Sequence, residues 1–132
     1  MATNREKVLE YAQDKQFVGL PQECAAVGQV IEPHCGDVLK IGFNTRREII
    51  TEIGYDLTES ACPPVHACAH LICQLAKDKA VIQGYLITYK QIAEMISDNG
   101  ELDPEHVHCA QMAELALKQA VSQYSLKKKS EL

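Results

Sequence analysis

Three of the six cysteines and two of the five histidines fall within fourteen residues, Ser60-Ala61-Cys62-Pro63-Pro64-Val65-His66-Ala67-Cys68-Ala69-His70-Leu71-Ile72-Cys73. Proline is tolerated in the first turn of a helix, where the N–H it lacks would have gone unpaired. Pro63 and Pro64 therefore place Cys62 at a helix N-terminus, where free N–H groups and the helix dipole favour an anion and hence a thiolate. A thiolate binds soft metals or attacks sulfur; a small polar cap would place a cysteine there equally well. At 100° per residue, Val65, Ala69, Ile72 and Ala76 form an apolar stripe and Cys68 lies inside it as a small hydrophobe. Cys62, His66, His70 and Cys73 share the flank of that stripe beside Lys77. Such a flank either ligates a metal, since histidines at i and i+4 face the same way, or forms the solvated edge of an amphipathic helix.

Two further groups hold chemistry-bearing residues. In His34-Cys35-Gly36-Asp37, a spacing of two on extended chain turns Cys35 and Asp37 to one face, offering a soft and a hard ligand to one metal. The same tripeptide also suits a simple turn. His108-Cys109 stands near the start of a helix whose apolar face reads Cys109, Ala113, Ala116, Leu117, Ala120 and Tyr124. Cys109 thus heads the apolar side, at the edge of the core. Cys24 falls in a loop.

The elements that must position these residues follow from periodicity and turn signals. Arg5 to Gln13 has helical spacing. Val27–Ile31 is a weak strand, Val38–Phe43 a stronger one, and Glu48–Tyr55 a β-branched one after a turn at Asn44–Arg47. The last two form an antiparallel hairpin, so the expected fold is α+β: a small antiparallel three-stranded sheet with helices packed on one face. Thr88 caps a helix over Tyr89–Ile96, and Asp103-Pro104 opens the last helical region. Residues 1–24 read as an N-terminal arm or short helix, 25–124 as the single domain, and 125–132, with Lys127-Lys128-Lys129, as a flexible tail.

Composition narrows the function. A chain of 132 residues makes one domain, and a net charge of −5 argues against nucleic acid or an anionic membrane as the main partner. No apolar run approaches a membrane span and the N-terminus has no signal-peptide h-region, which points to a soluble cytoplasmic protein. In that reducing compartment the cysteines read as metal-binding or reactive. There is no CxxC pair, so neither a zinc ribbon nor a thioredoxin-type redox site is signalled.

The order of these elements is more specific than any one of them. A strand opened by Cys35-Gly36-Asp37, a lone Cys62 opening a helix after a hairpin, and His108-Cys109 ahead of Met112-Ala113-Glu114 resemble the NifU/IscU-type iron–sulfur cluster assembly scaffolds. The likeness extends to Glu6-Lys7-Val8-Leu9-Glu10, to Gly28–Asp37 and to Ile87–Ile96, covering about residues 6–124. It implies that Cys35, Cys62 and Cys109 are cluster ligands with Asp37 and His108 beside them, and that Cys109 is the sulfur acceptor. It further implies a non-enzymatic scaffold that builds a transient [2Fe–2S] cluster from iron and from persulfide sulfur supplied by a cysteine desulfurase, then passes it to apo iron–sulfur proteins.

Three thiolates instead of four suit a labile cluster, and the same donors with one Asp or His would hold zinc. A zinc-bound sulfur-transfer partner that activates a desulfurase is the alternative. Relatives of that kind carry an insertion between the second and third cysteines for which this chain has no room. A thiol redox protein built on the Cys62–Cys73 helix is a third possibility, weakened by the absence of CxxC. The chain also departs from the family pattern. Ala61-Cys62-Pro63-Pro64 replaces Gly-Cys-Gly, and Leu102-Asp103-Pro104-Glu105-His106 replaces the Leu-Pro-Pro-Val-Lys segment that the IscU branch presents to an Hsp70-type chaperone. His66, Cys68, His70 and Cys73 stand where the family carries small residues, and His66 and His70 are possible additions to the ligand set.

Overall fold

Alternation in the two longer strands organises the molecule. A computed structural model describes residues 3–33, 36–58 and 61–131, the last three as backbone only. Leu39, Ile41 and Phe43 are completely buried, and their spacing of two turns all three toward one face. Strand β2 (Val38–Arg46) pairs antiparallel with β1 (Ala26–Ile31) and with β3 (Ile49–Leu57), in the order β1-β2-β3. The register sets Leu39 opposite Leu57, Ile41 opposite Tyr55 and Phe43 opposite Ile53, so every pair adds to the same buried surface. The reversal lies at Arg47 and Glu48, both at positive φ (55° and 66°), as the twist of a tight hairpin requires. Asn44 to Arg46, expected in the turn, continue β2. Asn44 is held there because its Oδ1 accepts the Ala25 N–H at 2.8 Å, and the register shifts between Asn44 and Thr45.

Helices cover that face. Helix α5 (Pro104–Glu131) runs over β1, and α2 (Pro63–Ala76) lies against β3 and α5. The α5–β1 approach depends on Gly28, where an added Cβ would sit 2.1 Å from Ala116 O and 2.5 Å from Ala120 N. Ala113, Ala116 and Ala120 on the facing side are completely buried. In α2, Leu71 and Ile72 are fully buried, each contributing about 1.5–3 kcal/mol of apolar transfer. Short α3 (Val81–Tyr85) and α4 (Tyr89–Ile96) complete the layer. Gln91 Oε1 accepts the Thr88 N–H at 2.9 Å and closes the start of α4.

Residues 3–24 pack into this body, beginning with the short helix that is one of the two expectations for this stretch. Helix α1 (Arg5–Gln13) is capped by Asn4, whose side chain accepts the Lys7 N–H, and it packs on α2 and α4. Asn4 N–H also donates to Ile96 O at 2.7 Å. Residues 17–19 then run along β3, with Tyr55 N–H donating to Phe17 O at 2.8 Å and Gly19 N–H to Tyr55 O at 2.7 Å. At the other end, residues 125–131, expected as a flexible tail, are the last turns of α5. Tyr124 packs on Phe43 and donates to Glu48 Oε2 at 2.9 Å, and Lys127 Nζ donates to Ala25 O at 3.2 Å, fastening those turns to the sheet. Among the described residues no helix is long and apolar enough to cross a membrane.

Candidate metal centre

Hydrogen bonds at one end of the sheet bring the chain segments of the expected ligands together. Glu32 N–H donates to Asp37 O at 2.8 Å and Gly36 N–H to Glu32 O at 2.9 Å, closing the loop that leads into β2. Gly36 takes φ +74°, a backbone conformation that side chains disfavour. Val38 N–H donates to Thr58 Oγ1 at 2.7 Å. Thr58 O in turn accepts the Ala61 N–H at 2.9 Å, so Asp37 and the approach to Cys62 are joined by one short relay. Cys35 and His34 lie outside the described residues.

Cys62 is the N-cap of α2 with two prolines behind it, as the sequence predicted, and is exposed. No side-chain cap bond is formed there, so the thiol is not spent on capping. Asp37 is buried, at 7% exposure. Cys109 sits in the second turn of α5, half-buried against the core, with its Sγ 3.8 Å from Glu105 O. Its neighbour His108 is exposed and turns to a groove of about 260 Å³ that it shares with Glu32, Pro33 and Met112. On the opposite side, Pro63 and Pro64 share a second depression with Glu105 and His106. Glu32 and Pro33 thus border the start of α5, and the start of α5 borders the start of α2.

The remaining thiols are walled off from that end. Cys68 and Cys73 are completely buried. Burial pushes both thiols up, Cys68 well above the ordinary value with a further push from nearby Cys109. That coupling sets Cys68 behind Cys109, on the core side. Cys24 is half-buried in its loop, with Sγ 3.0 Å from Pro21 O, and burial raises it as well.

The flank of α2 is not a solvated edge. His70 is 1% exposed, stacked on Tyr11 at 5.8 Å and tilted against Phe17 at 5.1 Å. Its Nε2 lies 3.2 Å from Gln74 Oε1 and 3.7 Å from Asp14 Oδ2. Helix α1 and the 14–17 segment cover this flank, which α2's own periodicity could not reveal. His66, one turn nearer Cys62, is half-buried. Burial lowers its pKa first, Lys15 adds to that, and Asp37 opposes it. His66 and Asp37 are therefore electrostatic neighbours, whereas His70 is turned to α1.

Among the described residues, the ligand atoms of Asp103, Glu105 and His106 lie within 4.8 Å of one another, and those of Asp37, Cys62 and Cys109 form no trio that tight. The acidic trio is tied to Thr3, whose Oγ1 is 2.8 Å from His106 Nδ1 and accepts the Asp103 N–H at 2.9 Å. It fastens the N-terminus to the start of α5. Two residues near the centre escaped sequence reasoning. Tyr55 faces His66, with ring centroids 6.3 Å apart, and Lys15 contributes charge to it. Only the inward parity of Tyr55 on its strand could have flagged it.

The chain is similar to known proteins over nearly its whole length. The chain is 30% identical over 128 residues to the iron–sulfur cluster assembly scaffold protein IscU of Escherichia coli (strain K12), covering 95% of this chain and 96% of that protein. The fold is similar to a candidate iron–sulfur cluster assembly scaffold for the SUF system from Fervidobacterium islandicum AW-1, with a TM-score of 0.71 at 15% identity, covering 88% of this chain and 94% of that one. It is also similar to the N-terminal part of a nitrogen-fixing NifU-like protein from Brucella abortus, with a TM-score of 0.69 at 15% identity, covering 92% and 94%. Residues 3–131 match the family described as the NifU-like N terminal domain, and the chain belongs to that family.

Proposed function

We propose that this protein is a scaffold on which a transient [2Fe–2S] cluster is assembled from iron and desulfurase-derived sulfur and then passed to apo iron–sulfur proteins. The observation that supports the reading is a chain of this family with buried Asp37 after a glycine, exposed Cys62 at a helix start and half-buried Cys109 early in α5. Cys35, Cys62 and Cys109 supply thiolates, the donors that hold iron–sulfur clusters. Asp37 supplies a hard oxygen, with His108 beside the set. A mixed shell holds iron less tenaciously than four sulfurs, as a donor of clusters requires. The cluster is cargo here.

Cys109 accepts the sulfur. Its thiolate attacks the outer sulfur of a persulfide on a cysteine desulfurase, the donor's S–S bond breaks, and the donor cysteine leaves as thiolate. Cys109 then carries the persulfide, whose S–S bond takes two electrons, from one dithiol that becomes a disulfide or from two one-electron carriers such as reduced ferredoxins, to give bridging sulfide and return Cys109 as thiolate.

Anaerobic incubation of the apo-protein with iron, cysteine and a desulfurase tests this directly. The expected result is a thiolate-to-iron charge-transfer spectrum with two irons per cluster, abolished by Cys35→Ala, Cys62→Ala or Cys109→Ala. Zinc binding with no cluster under any condition would overturn the reading in favour of a zinc-bound activator of the desulfurase.

A further inference from the structure

An apolar groove of about 420 Å³ lies open between α3 and the last part of α5, lined by Ile82, Tyr85, Val121 and Leu126 with two serines. Leu86, Ile82 and Leu126 are 68%, 67% and 65% exposed, the three most exposed large apolar side chains among the described residues. Two of them line the groove and the third adjoins Tyr85 in its wall. Contiguous exposed apolar surface of this kind marks an interaction site. The groove is remote from the proposed cluster ligands, since Leu126 stands about 25 Å further along α5 than Cys109.

Charge decides what fits there. Segments 46–48, 77–79 and 114–128 frame the groove and hold seven Lys or Arg against three Asp or Glu, in a chain of net charge −5. Backbone bonds gather them around α3, with Val81 N–H donating to Glu48 O at 2.9 Å and Ile50 N–H to Lys79 O at 2.9 Å. Two of the three acids are engaged within the fold. Glu48 accepts the Tyr124 hydroxyl and pairs with Lys128, and Glu114 accepts the Tyr89 N–H and pairs with Lys118. Lys118 also holds its ammonium over the Tyr85 ring, 5.4 Å from the centroid. Arg46, Arg47, Lys77 and Lys79 are exposed. The groove is therefore apolar at its floor and positive at its rim.

A second copy of this chain suits it badly, because a two-fold contact sets each positive rim against its own kind. A groove between two helices takes the apolar stripe of a third, at i, i+3, i+4 and i+7. We propose that this groove docks an amphipathic helix of a partner protein, one whose apolar stripe is flanked by Asp and Glu. A partner attached there leaves Cys62 and Cys109 uncovered. The docking does not depend on the scaffold reading.

The test uses the full chain, ¹⁵N-labelled, and two synthetic helical peptides of about five turns. Both carry leucines at i, i+3, i+4 and i+7, flanked by Glu in one and by Lys in the other. By fluorescence anisotropy the Glu peptide should bind at least about 10-fold more tightly, an advantage that about 1 M salt removes. It should shift the amide resonances of α3 and of residues 118–128. Ile82→Ser combined with Leu126→Ser should weaken it by about 10–100-fold, and Lys79→Glu combined with Lys128→Glu by about 10-fold. Neither pair should alter the thiolate-to-iron spectrum, so loss of docking and loss of cluster assembly are read apart. Equal affinity for the two peptides, no binding of the Glu peptide at about 1 mM, or resonance shifts confined to another face would overturn the proposal. So would a dimer in sedimentation that the serine pair breaks, which assigns the groove to a second copy. Phosphatidylserine vesicles bound through Ile82 and Leu126, with no preference between the peptides, would assign it to a lipid surface and overturn the proposal as well.

Discussion

Helix α2 carries the same functional group in two settings. Cys62 stands exposed at its N-terminus, while Cys68 and Cys73 are completely buried one and a half and three turns further on. The first position lies at the open start of the helix, where the thiol makes no cap bond. At the other two, burial pushes the thiols up and keeps them protonated and inert. Cys109 belongs to the first class by exposure, although it lies close enough to Cys68 for their charges to couple. Within one fold, then, place along the helix and access to solvent separate thiols open to a reagent from thiols that fill space.

The sharpest way to break that division is to label it. Native protein treated with iodoacetamide and mapped by mass should be alkylated at Cys62 first and Cys109 next. Cys68 and Cys73 should react at least on the order of 10³-fold more slowly, because they need the core to open. Comparable rates would dissolve the two classes. A second test asks whether the buried thiols act by packing. Cys73→Ser puts an unpartnered hydroxyl where sulfur packed and should cost about 1–3 kcal/mol in urea unfolding, while the reconstituted cluster spectrum stays. A lost spectrum with unchanged stability would move Cys73 into the reactive class.

Gly28→Ala probes the scaffold beneath Cys109. With Ala116 O only 2.1 Å from the new carbon, overpacking should cost about 1–3 kcal/mol, and unaltered stability would contradict the packing of α5 on β1. Asp37→Ala removes the exchangeable oxygen and should lengthen cluster lifetime several-fold in a chelator challenge; faster loss would refute the account of lability. The smallest change is expected at the far end of α5. There Lys128 is paired with Glu48 at 3.5 Å with both side chains more than half exposed, and Lys128→Ala should shift stability by under about 0.5 kcal/mol.

Much of this architecture was legible because it is local. The alternation in Leu39, Ile41 and Phe43, the Pro63-Pro64 start and the capped Tyr89 helix each announce their element within a few residues. The stripe containing Cys68 needed only a helical wheel. What stayed hidden depends on chain brought from elsewhere. The His66–His70 flank looks solvent-facing until α1 and residues 14–17 are laid over it, and nothing near residue 70 announces Tyr11 or Phe17. Residues 1–24 read as an arm or a short helix; the helix over Arg5–Gln13 is local and legible, but what fastens the segment, Ile96 and Tyr55, is remote in sequence. The turn slipped to Arg47-Glu48 because a hydrogen bond from residue 25 claims Asn44. The site was legible as a set of residue types in order; its inner wall, with Tyr55 and Lys15, was not.

One absent carbon atom governs the geometry of the whole device. Because position 28 bears only hydrogen, α5 rests at backbone distance on the sheet and is a single rod from Pro104 to Glu131. Cys109 is thereby carried on a helix seated directly on the sheet, while Asp37 follows a glycine in open space at φ +74°. A side-chain carbon at position 28 would lift that seat and reach Cys109 through it, whereas one at position 36 would meet nothing and act only through the backbone angle.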